Sequence, residues 1–190
     1  MTEKDIIKLI RQDEWMMKKL RAVQKPNLPD WYIGAGFVRS KIWDTLHGYK
    51  KRTPIPDIDV IYFDKNDFSE EELQKDSTAE EVYFQNLLSS ELSGLQWSVT
   101  NQARMHIFHD DVPYTNSVDA LSKWVETATC IGVRVEEKDT LILVAPHGID
   151  DLVNLIIRPT LKTKKNMQEF TRRLNEKKWL QKWPKLKTIY

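Results

Sequence analysis

The chain has 190 residues, of which 41% are hydrophobic and 30% charged, enough for one well-buried core. Its formal charge of +1 gives no global pull toward nucleic acid or membrane. One cysteine excludes an internal disulfide, and no apolar run approaches the roughly 18 residues of a membrane span, so a cytoplasmic protein is expected.

Ile6, Ile7, Ile10, Trp15, Met17 and Leu20 recur at helical spacing, which predicts one helix ending near Pro26 and Pro29. Trp31-Tyr32-Ile33 favours a strand. Small residues then turn the chain into a second helix, with Val38, Ile42, Trp43 and Leu46 on its buried side and Gly48 as its C-terminal cap. Lys50 to Pro56 is basic and broken by proline, hence a loop, and a strand follows over 57–63.

Residues 69–92 read as helical, with a capping box at Ser69 to Glu72 and a restart at Ser77 to Glu81. A strand is expected from Trp97 to Thr100, extending as far as Ile107, and a short helix over 117–124. Strands over 131–135 and 140–144 pair around Glu136 to Asp139. The segment 149–157 looks helical before Arg158-Pro159, and a last helix is expected from about Asn166 to Trp179.

From Lys162 to Lys187 there are ten Lys or Arg residues against Glu169 and Glu176. Phe170, Leu174 and Leu180 predict an amphipathic helix packed on the core with solvated lysines; the alternative is an RNA-binding surface with Trp179, Trp183 and Tyr190 as stacking faces. With no repeat or linker, residues 1–190 are expected to form one domain with a basic helical extension from about 162.

The chemistry concentrates in Asp57-Ile58-Asp59-Val60, which follows Gly34-Ala35-Gly36-Phe37-Val38-Arg39-Ser40. On a strand, alternate side chains share a face, so Asp57 and Asp59 point one way while Ile58 and Val60 enter the core. Paired carboxylates suit Mg²⁺, and a small-residue turn opening a helix offers backbone N–H groups to a phosphate. A polar strand edge and an ordinary strand-to-helix turn remain the plain alternatives. Arg39 suits a phosphate or a carboxylate such as Asp44 or Asp59 equally well.

These residues resemble the G-G-x-V-R-D … D-h-D-h arrangement of polymerase-beta-type nucleotidyltransferases, which include the tRNA CCA-adding enzymes. Ala35 stands where that pattern has its first glycine, and Ser40 where it has aspartate, departures that argue against a CCA-adding enzyme as such. Further blocks, Trp97 to His106, Trp124 to Thr129, Ala145 to Leu152 and Arg158-Pro159, look like the bacterial nucleotidyltransferase family proteins of that superfamily.

The resemblance implies an α/β fold (α+β by some definitions) of the polymerase-beta-like nucleotidyltransferase type, a small mixed sheet with packed helices. It implies Mg²⁺-dependent transfer of a nucleoside monophosphate from an NTP to a hydroxyl acceptor, whether small molecule, protein or RNA. Gly34 and Gly36 would form the phosphate-facing turn, Arg39 and Ser40 would lie just beyond it, and Asp57 and Asp59 would hold metal.

A third carboxylate is common in that superfamily, and Glu126 in its Thr-Ala-Thr context is the preferred candidate, against helix capping or a core-edge hydrogen bond. Asn101, Gln102 and Arg104 are candidates to line a nucleotide cleft; the alternative is a network bracing neighbouring loops. Cys130 reads as a buried core thiol. The alternative function is a catalytically weak or inactive nucleotide- or RNA-binding protein on the same fold.

Overall fold

The computed structural model describes residues 1–67, 69–73, 75–165 and 167–190. The expected helical span 69–92 crosses residue 74, and the expected last helix begins at Asn166; both residues lie outside those described.

Two helices, α1 (Glu3–Arg11) and α2 (Glu14–Gln24), replace the single one expected. Asp13 causes the break. Its backbone is extended and its carboxylate accepts from the Met16 N–H, capping α2, while it also holds Lys41 and Arg52.

Strand β1 (Tyr32–Gly34) leads into α3 (Gly36–His47), which ends on Gly48 at φ 71°, the left-handed cap that glycine adopts without strain. Next come β2 (Ile58–Tyr62), α4 (Ala79–Glu91) and β3 (Trp97–Asn101). The α4 cap is Thr78, in a reciprocal box with Glu81, within the expected restart at Ser77 to Glu81. Instead of continuing to Ile107, β3 gives way to a turn and the short α5 (Met105–Phe108).

Then follow α6 (Ser117–Ser122), β4 (Gly132–Val135) and β5 (Leu141–Val144). The segment expected to be one helix over 149–157 divides into α7 (Asp150–Val153) and β6 (Ile156–Ile157), separated by Leu155 at φ 60°. The chain closes with α8 (Met167–Lys177), α9 (Trp179–Lys182) and β7 (Lys187–Thr188), which pairs in parallel with β6.

The main sheet has the order β3-β2-β1-β4-β5, with β2 and β3 parallel and the other neighbours antiparallel. The crossover between the parallel pair contains α4, since parallel neighbours need a long connection. One face carries Ile33, Ile58, Val60, Tyr62, Trp97, Val99 and Val133, buried against Ile6, Ile10, Leu20, Phe37, Val38 and Ile42 from α1 to α3. Each such aliphatic side chain contributes about 1.5–3 kcal/mol relative to exposure.

Period-two alternation sends Tyr32 and Ile61 to the opposite face, where they meet Leu121 of α6 and the partly buried Trp124. Asp59 shares that second face. Trp179 and Trp183 of the C-terminal segment pack edge-on against Trp43 of α3, at centroid distances of 6.0 and 5.1 Å. Among the described residues, no helix is long and apolar enough to cross a membrane.

Candidate active site

A cavity of about 620 Å³ lies at the N-terminal end of α3, and Ala35, Gly36, Arg39, Ser40, Asp57 and Asp59 all line it. The turn that opens α3 is unusual. Ala35 has φ 46° and ψ −116°, a region that a side chain disfavours, while its N–H is tied to the Ile131 carbonyl at 3.1 Å. The cost is a helix end without a side-chain cap, so the Gly36, Phe37 and Val38 N–H groups have no acceptor among the described residues. With the helix dipole behind them they form an anion site.

Gly36 lies at the cavity, whereas Gly34 does not line it. A Cβ on Gly34 would come within 3.0 Å of the Trp124 ring, so this glycine serves the close packing of Trp124, itself a cavity residue.

Asp57 immediately precedes β2 and Asp59 lies within it, while the intervening Ile58 is buried, as strand alternation demands. Burial, reinforced by the charge of Asp57, pushes the Asp59 carboxyl up to about 6, against the opposing pull of Arg39. Two hard oxygen donors held close at such an electrostatic cost fit a divalent cation such as Mg²⁺, whose charge would relieve it. Among the described residues there is no cluster of three or more His, Cys, Asp or Glu side chains arranged for a metal.

Arg39 makes no ion pair with Asp44 or Asp59. Its guanidinium lies 4.5 Å from the Trp179 ring centroid and 5.2 Å from that of Trp43, and its buried Nε has no hydrogen-bond partner among the described residues. Burial pulls it down to about 10, so it remains a cation at neutral pH. Asp44 instead accepts from the Thr53 N–H and hydroxyl, at 2.8 and 2.6 Å, and from Trp183 Nε1 at 2.8 Å. These bonds fasten the 53–56 loop, whose Pro54, Ile55 and Pro56 form part of the cavity wall.

The structure does not place Glu126 among the residues lining the cavity. Its fully buried carboxylate accepts from Arg173 Nε at 2.7 Å and Nη2 at 3.1 Å, and from the Thr129 hydroxyl at 3.1 Å. That fork engages both oxygens of the residue expected as a third acid.

Gln102 and Arg104 are not brought to the cavity either. Arg104 is fully buried, pairs with Glu81 at 2.6 Å and donates to the Lys75 and Asp76 carbonyls. Gln102 is buried in the turn after β3. Asn101 accepts from the Asp64 N–H and donates to its carbonyl, so this region braces loops. Cys130 is buried, which pushes its thiol well above the usual range.

Local patterns did not reveal the other cavity residues. Lys123, Trp124, Lys162, Arg173, Lys177, Trp179 and Lys182 reach the cavity from segments more than 60 residues beyond Asp59 in the chain. The cluster of C-terminal basic residues was the available signal, but solvated lysines were its expected role. Leu180 is 46% exposed, and Trp179 and Trp183 take over the packing expected of it.

No curated protein matches the chain. Among solved structures, an NMR structure described as revealing a CCA-adding enzyme head domain is similar with a TM-score of 0.83 and 32% identity, covering 99% of this chain and 96% of that one. A CCA-adding enzyme in complex with CTP is similar with a TM-score of 0.57 at 16% identity, over 97% of this chain but 43% of its own. The Thermotoga maritima CCA-adding enzyme complexed with tRNA gives 0.55 at 18%, over 97% and 42%. These last two share the fold, and this chain spans less than half their length. A nucleotidyltransferase family model matches residues 21–188, and the chain belongs to that nucleotidyltransferase family.

Proposed function

We propose that the protein transfers a nucleoside monophosphate from an NTP to a hydroxyl-bearing acceptor, with Mg²⁺, releasing pyrophosphate. The observation that carries this reading is the opening of the uncapped α3 terminus and the Asp57–Asp59 pair into one cavity of about 620 Å³, a size that suits a nucleotide. Solved structures of the same fold in complex with ATP and CTP support an NTP as donor.

In this reading the Gly36 to Val38 amides hold phosphate oxygens, and Arg39 adds positive charge. Asp57 and Asp59 hold the metal, which supplies charge neutralisation and lowers the pKa of the acceptor hydroxyl. Residues 1–190 act as one nucleotidyltransferase unit in the cytoplasm, the basic segment from about 162 closing the cavity rather than forming an appendage. The acceptor is a small molecule, a protein or an RNA.

A second reading, nucleotide or RNA binding without efficient transfer, is favoured by one observation: the residue opposite Asp59 on β3 is Ser98, not an acid. Calorimetry with nonhydrolysable NTPs, with and without Mg²⁺, tests the shared premise. Binding is expected to require Mg²⁺ and to disappear in Asp57→Asn/Asp59→Asn; metal-independent binding that survives the double substitution refutes the site. Incubation of wild type and double variant with labelled NTPs and cell extract then separates the readings. Label transferred by wild type alone supports the enzyme, whereas binding without any transfer supports the second reading.

A further inference from the structure

Glu126 and Arg173 are 47 positions apart, yet they form a two-bond fork. Glu126 precedes the 3-10 turn Thr127–Thr129 and is anchored by a backbone bridge to Pro159. Arg173 projects from α8, remains 24% exposed and lines the cavity with Arg39, Asp57 and Asp59. Because the carboxylate engages Nε and Nη2, the two N–H groups of Nη1 stay outside the fork.

Electrostatics favour an anion there. Arg39 forms no ion pair among the described residues, and Arg173 adds a second guanidinium; of the three carboxylates whose charge reaches Arg39, Glu126 is taken up in the fork, while Asp57 and Asp59 are the pair assigned to the metal. Lys177, one turn further along α8, lines the same cavity. Glu169, the acid on that wall, is taken up by Arg172 at 2.7 Å.

We infer that Arg173, held by Glu126, binds the β- and γ-phosphates of the NTP, making α8 a contributor to the reaction. The inference rests on the nucleotidyl-transfer reading. In that step the acceptor oxygen bonds to Pα, and the bond from Pα to the bridging oxygen of the β-phosphate breaks. The electron pair goes to pyrophosphate and the hydroxyl proton to solvent. Arg173 neutralises the charge that grows on the departing pyrophosphate, and Glu126 is its positioning residue.

Calorimetry in Mg²⁺ with a nonhydrolysable NTP and the matching NMP tests it. Arg173→Gln is expected to weaken NTP binding about tenfold or more while NMP binding stays within about twofold, since only the NTP carries β- and γ-phosphates. Glu126→Gln should weaken NTP binding in the wild-type background and cost nothing further in Arg173→Gln.

Arg173→Lys, which keeps the charge but not the fork, is expected to fall between wild type and Arg173→Gln, and serves if the latter melts early. Equal losses for NTP and NMP, additive losses in the double variant, or wild-type NTP affinity in a folded Arg173 variant overturn the inference. Wild-type protein that binds no NTP overturns the nucleotidyl-transfer reading itself, and this inference with it.

Discussion

Asp59 and Ser98 are register partners on the parallel strands β2 and β3, and their side chains share a face of the sheet. The hydroxymethyl group of Ser98 thus occupies the place beside the Asp57–Asp59 pair where another carboxylate would complete a three-acid site. β3, Trp97-Ser98-Val99-Thr100-Asn101, carries no acid at that register or elsewhere along its length.

Ser98→Asp is therefore expected to behave oppositely with and without metal. Without metal, a like charge beside half-buried Asp59 should lower stability by about 1 kcal/mol. With Mg²⁺ or Mn²⁺ the loss should reverse, because three carboxylates offer the ion more charge than two. Thermal melts across a metal titration check this. A metal-induced rise in Tm no larger than that of wild type would show that position 98 does not face the metal.

Asp59 also predicts a pH dependence in metal-free buffer. Its carboxyl titrates near 3.8 in the unfolded chain and is pushed up to about 6 in the folded one. As pH rises through that window, the unfolded chain releases its proton first, so stability falls and the penalty is complete above pH 6. Asp59→Asn removes the titration. The variant should gain on the order of 1–3 kcal/mol over wild type above pH 6, and the gain should vanish below pH 4. Urea melts from pH 4 to 8 with chelator measure it; an offset independent of pH would refute the assignment.

Much of this site was legible because its main pieces are local. Gly36, Arg39 and Ser40 lie within one helical turn, and the two-residue spacing of Asp57 and Asp59 follows from strand periodicity. The α1–α2 break was missed because the apolar spacing continues across Asp13, whose capping bond depends on a local choice that hydrophobic periodicity does not report. Residues 149–157 misled for another reason: β6 exists by pairing with β7, some 30 residues later. Glu126 looked unaccounted for because its partner Arg173 lies on another element. Conversely, Gln102 and Arg104 had the chemistry of a nucleotide cleft, but the fold buries Gln102 in the turn after β3 and pairs Arg104 with Glu81 of α4 and the carbonyls of its preceding loop.

Ala35 offers a test of backbone strain at the phosphate turn. Its φ of 46° with ψ −116° suits glycine, and holding another residue there costs of order 1–3 kcal/mol. Glycine gives part of that back through greater freedom in the unfolded chain. Ala35→Gly is expected to stabilise the protein by about 1 kcal/mol, seen as a higher denaturation midpoint with unchanged m-value. NTP affinity should change little, because the α3 amides keep their place. A destabilised variant would mean that the Ala35 methyl contributes more packing than its backbone costs.

Arg104 separates structural from substrate-binding roles. Its guanidinium is completely buried, with Glu81 at 2.6 Å and the Lys75 and Asp76 carbonyls at 2.6 and 3.2 Å. Arg104→Met leaves the Glu81 charge buried without its counter-ion and should cost about 3–5 kcal/mol. Removing both charges in Arg104→Met/Glu81→Gln should recover part of that loss. The recovery is limited, because Glu81 also accepts from the Thr78 and Asn101 N–H groups. Denaturation of the single and double variants measures the coupling, and NTP titration well below each melting temperature tests the site. Affinity equal to wild type is the expected outcome. A selective loss of NTP affinity in a stably folded double variant would restore Arg104 to the nucleotide cleft.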